Sequence, residues 1–154
     1  MPKSFLIALA LLAGQAGSAL AADFDPGAAH DKFINAFNHR QWNDLKPLLA
    51  QDIVFHRANA AEVYSGQAQV LDHFDKTIGG EWNVKFVTLD SSDQLTGKDG
   101  RVVERGDFAV TAGVNDDTCY AGSYMMTWAP QSGGDWQLQT LAWQDLETDL
   151  ENCK

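Results

Sequence analysis

Apolar positions in the first half of the chain recur at helical spacing, and those in the second half alternate. Asp25-Pro26 is a helix start, since Asp can cap free N–H groups and Pro fits the first helical position, and Phe33, Ile34 and Phe37 then share a face as far as about Arg40. A second helical piece follows Asn43 with Leu45, Leu48 and Leu49 inward. Pro47 disturbs any regular helix begun much earlier, and the piece ends before Asp52. Ile53-Val54-Phe55-His56-Arg57 reads as a short strand. Ser65 then caps a helix whose apolar face is Val70, Leu71, Phe74 and Ile78, with Gly79-Gly80 as its terminator.

From Trp82 the period becomes two, with strands expected near residues 82–91, 101–112, 119–129 and 135–145. The turn-rich segments Thr96–Gly100, Asn115–Asp117 and Gln131–Asp135 separate them, so the strands are hairpin-linked and antiparallel. Helices first and strands afterwards, without βαβ alternation, predict an α+β domain in which N-terminal helices pack on a strongly curved, mostly antiparallel sheet.

The extreme N-terminus has a different pattern. Lys3 precedes the apolar run Phe5–Ala13, a small and polar stretch follows, and Ala19-Leu20-Ala21 has the small-x-small form that a signal peptidase accepts. The expectation is a cleaved export signal over residues 1–21 and a single domain over 22–154. A membrane anchor is the competing reading, but the run is about half of the roughly 20 residues a spanning helix needs. The mature chain is thus expected in the periplasm or secreted, with nothing to hold it in a membrane.

Charge and cysteines narrow the partners. The chain holds 21 acidic against 11 basic residues, a net charge of −10, which becomes −11 once Lys3 leaves with the signal. Such a surface repels phosphates and argues against nucleic acid and anionic membranes. Cys119 and Cys153 in an oxidising compartment are expected to pair. Closing that loop contributes roughly 4 kcal/mol on the chain-entropy view and pins the C-terminal tail. A catalytic thiol would want a basic neighbourhood, and Cys119 follows Asn115-Asp116-Asp117-Thr118 instead.

This order of elements, together with Phe33–Phe37 (FINAF), Leu48–Phe55 (LLAQDIVF) and Gly66–Phe74, resembles the nuclear transport factor 2-like superfamily. Gly122–Trp128 (GSYMMTW), the Gly-rich turn, Trp136-Gln137-Leu138 and Trp143 are similar to the closing hairpin of its polyketide-cyclase-like, SnoaL-like branch. The resemblance covers residues 28–146 and rests mostly on core hydrophobes and turn glycines. It implies a cone-shaped fold whose open end holds a small apolar ligand, in a superfamily of isomerases, dehydratases, hydrolases and binders without chemistry. Its catalytic branches use an Asp, or an Asp-His pair, within the cone, and no such motif is matched here. Homodimerisation through the outer sheet face, frequent in the superfamily, would draw on Trp82, Trp143 or Met125.

Alternation in the third strand groups Val102, Glu104, Gly106, Phe108 and Val110, the more apolar set, on the inward face. Glu104 thereby becomes a carboxyl among aromatic neighbours, where desolvation raises its pKa toward general acid–base range; the competing reading is a cross-strand salt bridge at a sheet end. Tyr120, Gly122, Tyr124, Met126 and Trp128 share a face of the next strand, where a Tyr hydroxyl can donate to a substrate oxygen and rings can stack on it, or simply pack as core. Tyr124, Trp128, Phe108 and Tyr64 are the ligand-binding candidates, and Glu104 and His56 the catalytic ones. His56 could act as a base near neutrality or be a satisfied structural group. His73 is expected at the helix surface.

His30, His39, His56 and His73 lack the spacing of a zinc site, and no phosphate loop or serine elbow occurs, so no metal or cofactor is expected. Two functions remain open. One is a pocket for a small apolar or aromatic molecule, with or without isomerase, dehydratase or hydrolase chemistry. The other is a protein-binding module of the inhibitor or immunity type.

Overall fold

The computed structural model describes residues 26–57, 61–81, 84–112, 118–132 and 135–145. The export signal, Trp82, Asn115–Asp117 and Cys153 lie outside these residues, as does the side chain of Cys119. The predicted cleavage, turn and disulfide therefore have no structural description. Among the described residues no helix is long and apolar enough to cross a membrane.

Helix α1 (Pro26–Asn38) buries Phe33, Ala36 and Phe37. Its end is a Schellman motif: Gln41 N donates to Ala36 O, Arg40 N donates to Phe37 O, and Arg40 takes the left-handed φ of 55° that such a cap requires. The last helical residue, Asn38, docks on a strand edge by donating from Nδ2 to Val87 O at 3.0 Å and accepting at Oδ1 from Val87 N at 2.8 Å. Helix α2 (Trp42–Leu45) runs into a 3-10 turn, Lys46–Leu48, where Pro47 sits early enough to be tolerated.

Strand β1 (Leu49–Arg57) begins earlier than its sequence signal, and β2 (Glu62–Ser65) was not anticipated. Gly66, at φ 89°, then turns the chain into α3 (Gln67–His73), the role expected of Ser65. The helix does not end at Gly79-Gly80; it continues as a π-helix over Phe74–Glu81. Arg40 stabilises this extension, its Nη2 donating to Gly79 O at 2.6 Å, so a tertiary donor replaces the cap the glycines would have supplied.

The four long strands are β3 (Val84–Thr96), β4 (Val102–Ala112), β5 (Thr118–Pro130) and β6 (Trp136–Asp145). With β1 and β2 they form one six-stranded sheet in the order β2-β1-β6-β5-β4-β3, antiparallel except for the β1–β6 pair. The fold is the predicted α+β architecture, with α1, α3 and the π-helix on the inner face. Register breaks bend the sheet in β3 between Ser91 and Asp93, and in the β5–β6 pair between Thr127 and Trp128.

The second break decides where Trp143 points. Across it the inward phase of β6 shifts, so that Leu138, Leu141 and Trp143 are all buried. Trp143 therefore lies in the core rather than on the outer face, packed against Phe37, Phe55, Phe74 and Phe108 at ring separations of 5.3–6.4 Å. Met125 does occupy the outer face, 39% exposed. Such an aromatic centre stabilises through buried area and edge-to-face geometry together.

Candidate active site

On the inner face, β4 and β5 present two cross-strand pairs in which an aromatic residue faces a glycine: Gly106 with Tyr124, and Phe108 with Gly122. Each ring lies over the glycine. A Cβ on Gly106 would fall 2.7 Å from Tyr124 Cε1, and one on Gly122 would fall 2.6 Å from Phe108 Cε1 and Cζ. The bare backbone therefore lets both rings cross their neighbouring strand, and such glycine–aromatic pairs are how strongly bent sheets keep their surface packed.

Crossing over Gly106 carries the Tyr124 hydroxyl to Glu104, where it donates to Oε1 at 2.8 Å. Glu104 is 0% exposed and Tyr124 3%. The carboxyl is thus a buried member of the inner face, closed upon by a phenol. Burial, foremost, holds the Tyr124 hydroxyl far above its ordinary pKa of 10.0, and the hydrogen bond to Glu104 and its charge add to this. A hydrogen bond from Ser91 acts in the opposite direction, and the charge of Asp90 adds to the rise. Tyr124 consequently remains a protonated donor across the physiological range.

The neighbours of this buried pair on β3 are exposed. Residues paired across an antiparallel ladder point to the same face. Ser91 is the partner of Gly106 and Gln94 the partner of Glu104, and both are exposed. On the other flank, Trp143 is the cross-strand partner of Tyr124, 6% exposed, and its indole N–H has no hydrogen-bond partner among the described residues. Among the described residues no cluster of His, Cys, Asp and Glu could hold a metal ion.

The inward sets predicted for β4 and β5 are observed: Val102, Glu104, Gly106, Phe108 and Val110 are buried, as are Gly122, Tyr124, Met126 and Trp128. The side chain of Tyr120 is outside the described residues. Of the six candidates, Glu104 and Tyr124 meet, and the other four are dispersed. Phe108 stacks on Trp143 in the aromatic core. Trp128 lines a separate groove of about 520 Å³ between the first turns of α1, Pro47-Leu48 and the β5–β6 turn, with Lys32, Asp135, Trp136 and Gln137 at its sides. Tyr64 is on β2, its hydroxyl donating to Glu62 Oε2 at 3.2 Å. His56 is exposed on β1, on the face opposite Phe55, and is not brought to Glu104.

His73 corrects the expectation most sharply. It is 4% exposed, stacked on Tyr64 at 3.9 Å and beside Phe55 at 5.5 Å, because β2 folds over that end of the helix. Burial, chiefly, pulls its pKa below 6.5, aided by Arg57 and opposed by Glu62 and Asp72. Ser91 and Trp143 are the members of the site that sequence alone did not assign to it. Their signals are the two register breaks, which no alternation pattern displays.

The SnoaL-like domain family matches residues 30–148. No curated protein matches the chain in sequence. Among solved structures, the hexachlorocyclohexane dehydrochlorinase LinA-type3 from Novosphingobium barchaimii is 13% identical with a TM-score of 0.62, over 79% of this chain and 84% of that one. ActVI-ORFA from Streptomyces coelicolor is 9% identical with a TM-score of 0.64, over 77% and 92%. An NTF-2 like protein of unknown function from Shewanella oneidensis is 9% identical with a TM-score of 0.62, over 77% and 95%. At these identities the likeness is one of fold.

Proposed function

Because the chain belongs to the SnoaL-like family of the nuclear transport factor 2-like superfamily, we propose that it is an exported domain that takes a small apolar or aromatic molecule on its inner face and transfers a proton within it. The observation that carries this reading is the fully buried Glu104 carboxyl bonded at 2.8 Å by Tyr124. A carboxyl in apolar surroundings is a poised acid–base group, because desolvation disfavours its charged form while the phenol's hydrogen bond favours it. Tyr124, held protonated, has one proton, which Glu104 receives in the free protein and which a developing oxyanion would draw away from it.

Two further features support the same site. The Trp143 N–H is a buried donor whose hydrogen bond a ligand oxygen would complete. The exposed positions Ser91 and Gln94 give an approach from β3. The chemistry is of the kind that needs no cofactor: proton abstraction next to an electron-withdrawing group, ending in isomerisation by return of the proton to another carbon or in elimination by departure of a leaving group, or deprotonation of a water molecule for hydrolysis. Pairing of Cys119 with Cys153 and homodimerisation through the outer face around Met125 belong to the same proposal.

Native mass spectrometry of the protein purified from its own host should show a bound small molecule. The Glu104→Gln variant should keep that molecule while losing turnover of it. A ligand-free protein that fails to bind any member of an apolar and aromatic panel would overturn the reading. Export is tested by the intact mass of the mature chain, expected to begin at Ala22, with two hydrogens fewer for the disulfide.

A further inference from the structure

Ser91 is an exposed neighbour of the buried pair, and its placement is specific. It is the β3 partner of Gly106, which on its other side is partnered by Tyr124. Since the Tyr124 ring crosses Gly106, its hydroxyl is carried toward the β3 side of β4, where Ser91 stands. A Cβ on Gly106 would fall 2.0 Å from Asp90 O, so the β3 backbone lies close against β4 at this point. The register break between Ser91 and Asp93 follows immediately, so Ser91 is the last residue of β3 held in the unbroken ladder before the strand bends.

We propose that Ser91 is a positioning residue for Glu104 that acts through Tyr124. The Ser91 hydroxyl donates to Tyr124 Oη, and Tyr124 Oη–H donates to Glu104 Oε1, so that an exposed serine strengthens the donor that a buried carboxylate receives. This rests on the reading of Glu104 as the acid–base group. A phenol that accepts a hydrogen bond becomes a better donor, since the two bonds polarise one another in the same direction. Ser91 therefore favours the ionised form of Glu104 without touching it, and a ligand that displaces the Ser91 bond on entering from β3 would raise the carboxyl's proton affinity as it arrives. Asp90 is the other charged group that acts on this hydroxyl; it is exposed and disfavours the phenolate.

The test is the titration of the Glu104 side-chain carboxyl by carbon-13 NMR in the full chain labelled at glutamate, with the resonance identified by its loss in Glu104→Gln. Tyr124→Phe should raise the midpoint by about one pH unit, a tenfold change in proton affinity. Ser91→Ala should raise it by a smaller amount in the same direction, and Ser91→Thr, which keeps the hydroxyl, should restore it. A Ser91→Ala midpoint equal to that of the unaltered protein, while Tyr124→Phe shifts, overturns the role of Ser91, whatever it does to thermal stability. If Tyr124→Phe itself leaves the midpoint unmoved, the reading of the Glu104–Tyr124 pair is what fails.

Discussion

Substituting Gly106 by Ala tests the central geometric claim, that the Tyr124 ring reaches Glu104 because nothing projects from β4 beneath it. The added methyl would sit 2.0 Å from Asp90 O and 2.7 Å from Tyr124 Cε1. Non-bonded carbon contacts are favourable only near 3.5–4.0 Å, so the β3 carbonyl would have to retreat by more than about 1 Å. A ring can swing aside, but a carbonyl held in a ladder cannot do so without breaking neighbouring bonds. The cost should therefore lie at the upper end of the overpacking range, about 3 kcal/mol. For a domain of this size that is a fall in Tm of roughly 10 °C. Urea denaturation and differential scanning calorimetry measure it directly. Pairing Gly106→Ala with Tyr124→Ala separates the two contacts: most of the loss should remain after the ring is removed, since the carbonyl contact persists. A Gly106→Ala protein destabilised by less than about 1 kcal/mol, with the Glu104 resonance unchanged, would refute the geometry.

Asn38→Ala removes both hydrogen bonds that tie α1 to the edge of β3 and should cost about 1–3 kcal/mol, with hydrogen exchange at the Val87 amide accelerating first. Tyr124→Phe and Glu104→Gln should be non-additive in a double-mutant cycle by about 0.5–3 kcal/mol, because each removes the other's partner. Acidification should destabilise the protein through His73, whose folded pKa lies below 6.5. Its contribution is fully present above pH 6.5, where both states are neutral. It falls as the pH drops from there toward the lowered value, because the unfolded chain binds a proton that the folded one resists, at up to about 1.4 kcal/mol per pH unit. Urea midpoints between pH 7.5 and 5 should show this slope, and His73→Phe should flatten it.

The faces of β4 and β5 were legible in the sequence because over most of their length they pair without a break: simple alternation placed Glu104, Gly106, Phe108, Tyr124 and Met126 correctly. Legibility failed where a tertiary contact or a register break overrode the local signal. Trp143 turned inward because β6 changes phase beside Trp128. His73 was buried by β2, a strand of four residues whose burial is too weak to leave a pattern. The glycines at 79 and 80 stop an isolated helix, but here the Arg40 guanidinium donates to the Gly79 carbonyl. Of the site itself, Glu104 and Tyr124 could be read and Ser91 could not, since its meaning depends on a bulge one residue later.

The parallel pairing of β1 with β6 joins Leu49 to Leu138 and Phe55 to Leu141, so the first strand of the sheet finds its second neighbour in the last. Until β6 is available, β1 has only the short β2 beside it, and the inner face between β1 and β5 stands open. Closing loops of this length is slow, and the domain cannot be assembled piecemeal from its N-terminus. A chain released on the far side of a membrane would remain extended and exposed until nearly all of it had crossed. Under the export proposed above, this would help transit, because premature folding would block the channel, and would be a liability afterwards, because the unpaired strands are then open to aggregation or to a holding chaperone.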